Sequence, residues 1–376
     1  MKKGWEVKKL SEVGKIYNGN SINERVKNEK YTEIENGIPY ISTKDIDYNC
    51  VIDYENGINI PFKEENNFKI APINSVLICA EGGSAGRKIG FTSQSICFGN
   101  KLFAFVPGKN IESKYVYYYY FSKTFQKSFS NEIVGIIGGV SMNKFKAIQI
   151  PLPPLAEQQR IVSILDQAFV AIDQAKTNAQ KNLQNAKDLF ESSLQIIFSN
   201  KGKGWEEKRF DEICLLQRGF DLPTHSRTKG INPLVSSNGI TDKIDLWKVK
   251  APGVVTGRSG TIGNVHFISE NFWPLNTALY IKEFFGNYER CVFYFLKQFD
   301  LMKYSSGAGV PTLNRNNVHG VKIWFPKSLT EQQTIVSKLD ALQTETKKLE
   351  AIYIQKIANL DELKKSILQK AFAGEL

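Results

Sequence analysis

The chain repeats itself, and it does so at two different offsets. Gly4-Trp5-Glu6-Val7-Lys8 returns as Gly204-Trp205-Glu206-Glu207-Lys208, and the register continues through Glu12 with Glu212 and Gly19 with Gly219. Further on, Glu157-Gln158-Gln159-Arg160-Ile161-Val162-Ser163-Ile164-Leu165-Asp166 returns as Glu331-Gln332-Gln333-Thr334-Ile335-Val336-Ser337-Lys338-Leu339-Asp340. The second register runs without a gap to Phe198 and Phe372, with identities at both ends and none in the middle. Two offsets mean that the stretches between the matched segments differ in length. The order is therefore block, segment, block, segment, and a duplicated chain must build one supersecondary unit twice. Residues 1–150 and 201–325 are the blocks; 151–200 and 326–376 are the segments.

Both segments read as long helices. Apolar residues in the first recur in steps of three and four at Ile161, Leu165, Ala168, Ile172, Ala175, Ala179, Leu183, Ala186, Phe190, Leu194 and Ile197, which makes a heptad seam. The second runs through Ile335, Leu339, Leu342, Thr346, Leu349, Ile352, Leu360, Leu363 and Ile367. Pro151, Pro153 and Pro154 before the first helix, and Pro326 before the second, give rigid non-helical leads. Forty-two residues at about 1.5 Å each make a rod of about 63 Å. A rod with one apolar stripe needs a partner, and the other rod is at hand. The Ala-rich middle of the first seam is expected to admit Leu349 and Ile352 of the second. Pairing between two copies of the chain is the competing arrangement.

The blocks have another texture. Short runs such as Val76-Leu77-Ile78-Cys79, Leu102-Phe103-Ala104-Phe105-Val106 and Ala278-Leu279-Tyr280-Ile281 read as strands bounded by Gly and polar turns. Aromatic-rich helix is expected late in each block, over 115–129 and 288–304. Each block is thus a compact α/β domain, and the whole chain is α+β: two such domains joined by two long antiparallel helices in a pseudo-two-fold tandem repeat. On a helix the consecutive Tyr117-Tyr118-Tyr119-Tyr120 point around the axis, which favours core packing over a base-stacking platform.

Charge follows the blocks. The net +11 of the chain divides into +5 over 1–150, −1 over 151–200, +6 over 201–325 and +1 over 326–376. Two basic modules separated by near-neutral helices suit a polyanion better than a uniformly solubilising surface does. Five cysteines without a C-x-x-C pair predict neither a disulfide framework nor a zinc site, but a reducing, cytoplasmic compartment. No apolar run approaches the roughly 18 residues of a membrane span, and no secretory signal is expected.

No catalytic constellation emerges. Gly82-Gly83-Ser84-Ala85-Gly86-Arg87-Lys88 lacks the order of a phosphate-binding P-loop, and Gly257-Arg258-Ser259-Gly260-Thr261-Ile262-Gly263 is not G-x-G-x-x-G. Pro153-Pro154 sits between leucines, unlike the polar-Pro-Pro-aromatic clamp of an adenine methyltransferase. Glu6-x-Lys8 and Glu206-x-Lys208 have no upstream Pro-Asp, and His225, His266 and His319 make no metal-ligand spacing. The Gly-rich loops instead suit recognition, because glycine lets backbone approach another molecule. They match between blocks: Gly83–Gly86 with Gly257–Gly260, Asn100 with Asn276, and Gly139-Val140-Ser141-Met142-Asn143-Lys144 with Gly309-Val310-Pro311-Thr312-Leu313-Asn314-Arg315. Asn and Arg can bond adenine and guanine edges bidentately, while Lys suits phosphate. Lys44, Arg87, Lys88, Asn100, Asn143 and Lys144 in the first block, and Asn238, Arg258, Asn276, Asn314 and Arg315 in the second, are therefore the expected DNA-contacting residues. Ordinary hairpin turns are the alternative for any one loop.

Ile150-Pro151-Leu152-Pro153-Pro154-Leu155-Ala156-Glu157-Gln158-Gln159 at a helix start, a second Glu331-Gln332-Gln333 start, and the run Leu368-Gln369-Lys370-Ala371-Phe372-Ala373-Gly374-Glu375-Leu376 carry a resemblance along the whole chain. It resembles the specificity subunit of type I restriction-modification systems. In the second copy Trp324-Phe325-Pro326-Lys327-Ser328-Leu329 replaces the usual Pro-Leu-Pro-Pro. The resemblance implies two target recognition domains, each reading one half of a split, asymmetric DNA site, with the helices setting their separation. It also implies a non-catalytic scaffold for two methyltransferase subunits and two restriction-translocase subunits. Glu157, Gln158, Gln159, Glu331, Gln332 and Gln333 would meet those subunits. S-adenosylmethionine, ATP and Mg2+ would be held by the partners, with no cofactor on this chain. A coiled-coil scaffold without sequence-specific DNA binding is the alternative.

Overall fold

In a computed structural model that describes residues 2, 4–32, 34–136, 138–307 and 309–376, the chain divides into two units. One comprises the residues up to Asn178 together with Lys356–Leu376; the other is Ala179–Gln355. The divisions fall inside the two long helices, Leu155–Ser199 and Leu329–Ala373, each of 45 residues. Each unit therefore owns one half of each helix.

The first unit is built on a four-stranded antiparallel sheet in the order Gly14–Asn18, Leu102–Pro107, Val76–Cys79, Ile89–Phe91. The second repeats that order with Leu215–Arg218, Ala278–Glu283, Gly253–Gly257 and Val265–Ile268. Val76–Cys79 is buried at every position, as is Gly253–Gly257, which is why both lack the polar–apolar alternation of a half-exposed strand. A smaller sheet in each unit contains one parallel pair, Gly37–Ile41 with Ile96–Phe98 and Lys229–Ser236 with Trp273–Pro274. The repeated Gly-Trp-Glu motif is the strand that closes each domain onto its helix lead. Glu6–Lys9 pairs with Gln149–Leu152, and Trp205–Arg209 with Lys322–Pro326. The second lead thus reaches the same geometry without a Pro-Leu-Pro-Pro sequence.

The aromatic stretch of the first block forms two helices, Ser113–Tyr120 and Lys123–Asn131, because Ser122 stops the chain between them and caps the second by accepting from the Phe125 amide at 3.2 Å. Tyr115, Tyr118, Tyr119 and Tyr120 are buried. The Tyr115 and Tyr119 hydroxyls donate to the Pro151 and Gln149 carbonyls at 2.7 and 2.6 Å. These tyrosines are core, tied to the lead of the long helix. In the second block the counterpart is a single helix, Glu289–Gln298, followed by a short turn at Leu301–Tyr304.

Each domain packs on the start of the long helix that follows it. Ile161, Leu165 and Ile172 join Tyr115, Phe125 and Phe145 in one core, and Val336 and Leu339 join Phe210, Tyr294 and Phe325 in the other. Burying such side chains contributes about 1.5–3 kcal/mol each. Within the first unit the helix halves run antiparallel, shown by Arg160 bonding the Leu376 carbonyl at 2.7 Å, Lys364 pairing with Asp173 at 3.0 Å and Lys176 with Asp361 at 2.7 Å. In the second unit Phe190, Leu194 and Phe198 share a core with Val336 and Leu339.

The expected seam of the second helix needs one correction. Leu349 and Ile352 do not fill an Ala-rich groove; they are 38% and 58% exposed. Steps of three from Thr346 to 349 and 352 drift about 60° each around a helix of 3.6 residues per turn. The covered face passes instead through Thr346, Glu350, Tyr353, Ile357 and Leu360, in alternating steps of four and three.

Candidate nucleic-acid interface

Three loops converge at the same place in each domain. In the first, Ala80 accepts from the Val140 amide and donates to the Lys101 carbonyl, both at 2.9 Å, while Gly82 donates to the Gly138 carbonyl at 2.7 Å. These bonds gather the loops after Val76–Cys79, before Leu102 and before Met142 around a recess of about 740 Å³. In the second, Arg258 donates its amide to the Thr277 carbonyl at 2.9 Å and accepts from the Leu313 amide at 2.8 Å. The corresponding loops surround a recess of about 720 Å³. Glu81 bridges Gly139 in one domain and Ser259 bridges Thr312 in the other, so the convergence is the same backbone feature twice.

The repeated glycine serves this convergence. A Cβ on Gly19 would lie 1.8 Å from the Phe98 carbonyl oxygen, and one on Gly219 would lie 2.2 Å from that of Leu275. Both distances are far inside van der Waals contact. Only glycine lets the chain leaving the first sheet strand press against the loop that carries Asn100 or Asn276.

The expected residues distribute unevenly. Arg258, Asn314 and Arg315 come together in the second recess, and Asn276 stands behind its lining, bonded to Arg258 and Asp221. The Arg258 guanidinium donates to the Asn276 carbonyl at 3.3 Å, and the Asn314 side chain accepts from the Asn316 amide at 3.1 Å. Asn238 lies outside that lining, at the Ser236–Gly239 hairpin, where its side chain accepts from the Thr261 hydroxyl at 2.8 Å. In the first domain Asn100 lines the recess, whereas Asn143 and Lys144 are exposed on the helix Met142–Ala147, with Lys144 paired to Glu132 at 2.9 Å.

Arg87 and Lys88 do not extend freely from their Gly-rich loop. Arg87 bends back to donate to the Gly83 carbonyl, and Lys88 donates to Thr43 at 2.9 Å. Their cationic groups stand 5.6 and 5.1 Å from the ring of Tyr48, which is 63% exposed. With the exposed Lys44 in the adjoining turn, they form a basic and aromatic patch that suits phosphate and base contact together.

Tyr48, Lys101, Arg218 and Asp221 are missing from the expected set. Arg218 stands immediately before the repeated Gly219, which was the available signal. It pairs with Asp221 at 3.6 Å, and Asp221 also accepts the Asn276 amide. Tyr48 and Lys101 have no counterpart in the repeat and left no trace in the pattern.

The two Glu-Gln-Gln triplets require a second correction. Gln158 and Gln332 are each 1% exposed. Gln158 accepts from the Glu112 amide at 2.9 Å and donates to the Pro153 carbonyl at 2.8 Å. Gln332 accepts from the Tyr288 amide at 2.7 Å and donates to Asn287 at 2.8 Å and the Pro326 carbonyl at 2.9 Å. Their side chains fasten each domain to its helix and are not available to another subunit. Glu157 is held by Arg160 and Lys2, and Arg160 beside it lowers its carboxyl to about 2. Glu331 accepts the Trp205 indole at 2.9 Å. Only Gln159 and Gln333 face outward.

Eight residues beyond each buried glutamine an aspartate makes a second fastening. Asp166 accepts the Tyr118 hydroxyl and pairs with Lys114 at 2.8 Å; Asp340 accepts the Tyr294 hydroxyl and pairs with Arg290 at 2.9 Å. Among the described residues no group of three or more His, Cys, Asp or Glu could hold a metal ion, and no helix is long and apolar enough to cross a membrane.

The sequence matches the family described as the type I restriction modification DNA specificity domain twice, over residues 2–183 and 202–359. It is 23% identical over 244 residues to the type I restriction enzyme MjaIX specificity subunit of Methanocaldococcus jannaschii, covering 59% of this chain and 54% of that one. With the EcoR124I/EcoR124II specificity subunit of Escherichia coli it shares 26% over 198 residues, 52% and 48% of the two chains. With the StySPI specificity subunit of Salmonella potsdam it shares 23% over 360 residues, 82% and 76%. The chain spans about half the length of the first two. Its fold is similar to that of a chain from a type I R-M system studied for complex assembly and conformational transition, with TM-score 0.82 and 17% identity over 100% of this chain and 99% of that one. It is also similar to the HsdS subunit from Thermoanaerobacter tengcongensis, with TM-score 0.66 and 18% identity over 100% and 98%.

Proposed function

Since the chain belongs to the family of type I restriction modification DNA specificity domains, we propose that it is the DNA-binding specificity subunit of a type I restriction-modification complex. Residues 1–150 and 201–325 act as target recognition domains, each reading one half of a bipartite, asymmetric site. Residues 151–200 and 326–376 form the helical spacer. The observation that carries this reading is the doubled recess: two basic domains present the same convergence of three loops with different linings. Lysines and arginines around the recesses and the Tyr48 patch neutralise phosphates, while side chains fixed inside the recesses meet base edges.

The chain supplies position rather than chemistry. Two methyltransferase subunits that bind S-adenosylmethionine and methylate adenine dock on it, and two ATP- and Mg2+-dependent restriction subunits join them. Gln159 and Gln333, the outward members of the two triplets, belong to that docking surface. Type I R-M assembly in the structurally similar chain supports a multi-subunit complex.

The test pairs DNA binding with methylation mapping. Affinity of the isolated chain for duplex DNA should fall steeply with salt, by a slope of about 0.9 for each phosphate neutralised. Methylated sites in cells expressing the chain with its cognate methyltransferase subunit should be bipartite. Exchange of residues 1–150 for another family member's first domain should change one half-site only. Salt-independent binding, or both half-sites changing together, overturns the reading.

A further inference from the structure

The two recesses occupy equivalent places but differ in chemistry. In the second domain, Arg218, Arg258 and Arg315 line the recess, with Asp221 the one carboxylate among the described residues. That carboxylate already accepts the Asn276 amide and pairs with Arg218 at 3.6 Å, so the guanidinium groups of Arg258 and Arg315 are left to dominate the surface. In the first domain the only charged residues of the lining, among the described residues, are Lys101 and Glu81, which pair at 4.0 Å. Apolar side chains take over there: Val134 is 56% exposed and Ile136 fully so.

Resting on the reading that each domain binds one half-site, we propose that the second domain reads guanine in its half-site through Arg258 and Arg315. The first domain's recess instead meets thymine methyl groups, in a half-site rich in A·T pairs. The argument turns on what duplication keeps and what it changes. Both domains face the same sugar-phosphate backbone but different bases. A place that held phosphate would keep its cations in both copies, whereas a place that reads bases must diverge. This place keeps its backbone geometry, down to Gly19 and Gly219, and changes its side chains.

The chemistry matches each lining. A guanidinium fork bonds O6 and N7 of guanine bidentately, and apolar side chains contact the thymine C5-methyl. Arg258 is also set for a directional contact. Its amide and carbonyl are both engaged by neighbouring loops, and its guanidinium is steered by the Asn276 carbonyl. A phosphate contact needs charge within reach; a base contact needs a fork held at a defined angle.

The experiment is selection of bound duplexes from a library randomised in both half-sites, with the full chain and its methyltransferase subunit. The wild type is expected to select a G·C pair in the second half-site. Arg258→Ala and Arg315→Ala should each lose about tenfold to hundredfold discrimination at one such position, leaving the first half-site intact. Arg258→Lys keeps the charge but not the fork. It should retain the salt slope and the affinity for duplexes lacking that guanine while losing most of the guanine preference, a pattern that a merely folding-related role would not give. Equal weakening on all sequences, or relaxation at an A·T position, overturns the inference while leaving the DNA-binding reading in place. A wild type that selects no sequence overturns both.

Discussion

Gln332 offers a sharp test of how each domain is fixed to its helix. Replacing it by alanine removes an acceptor from the Tyr288 amide at 2.7 Å and two donors, to Asn287 at 2.8 Å and the Pro326 carbonyl at 2.9 Å. Neutral hydrogen bonds contribute about 0.5–1.5 kcal/mol each, so three amount to about 1.5–4.5 kcal/mol. Gln332 is 1% exposed, so water does not simply replace the lost amide. The expected destabilisation is about 3 kcal/mol, a large part of the roughly 5–15 kcal/mol that holds a domain folded. The adjoining Gln333→Ala, on the exposed side of the same turn, should change stability by less than about 0.5 kcal/mol. Urea titration of both variants, with hydrogen exchange followed at the Tyr288 amide, separates them. If Gln332→Ala fell within about 0.5 kcal/mol of Gln333→Ala, the fastening role would be wrong. Gln158 and Gln159 should behave as the same contrast in the first domain.

A double-mutant cycle of Tyr294→Phe and Asp340→Ala should give a coupling of about 1 kcal/mol from the Tyr294 hydroxyl bond, because the Arg290–Asp340 pair is lost equally in both Asp340→Ala arms and cancels. Arg160, assisted by Lys2, lowers the folded Glu157 carboxyl from 4.5 to about 2. Its stabilisation is therefore complete above pH 4.5 and is lost as pH falls to about 2; Glu157→Gln should flatten acid unfolding of the first unit across that window, as thermal scans at successive pH values would show. Four heptad-compatible residues inserted near Ala179 add about 6 Å of helix, close to two base pairs of DNA rise. Because the helical and duplex rotations do not match, methylation mapping should find the unread spacer longer by one base pair, or at most two, with both half-sites unchanged; the original spacer at full activity would refute a measuring role.

The duplication made the architecture legible, because repeated spacing survives where individual residues do not. Heptad periodicity placed both helices, and runs such as Val76–Cys79 placed sheet strands that are fully buried. Helix geometry alone places the tyrosine run in the core, because consecutive side chains point around the axis. Failures arose where the pattern carries no information about the third dimension. Gln158 and Gln332 resemble surface residues in sequence, and only the loops folded over them make them interior. At Leu349 and Ile352 apolar character does not mark the covered face, which continues through Glu350 and Tyr353. Arg218 and Lys101 enter the recesses because loops distant in sequence meet there, and Tyr48 gathers Arg87 and Lys88 in the same way.

The division of each long helix between units has a consequence for synthesis. The second unit is a single stretch, Ala179–Gln355, and can close as soon as that stretch leaves the ribosome. The first cannot, because its core includes Leu368 and Ala371, and Phe372 packs its ring 5.1 Å from that of Tyr115 and 5.3 Å from that of Tyr119. The domain translated first is thus the one completed last, and its aromatic helix waits partly uncovered while the rest of the chain is made. Such an interval of exposed apolar surface is where aggregation and chaperone capture act. Premature termination between Gln355 and Leu368 would therefore leave the second unit's stretch complete and deprive the first core of Leu368, Ala371 and Phe372.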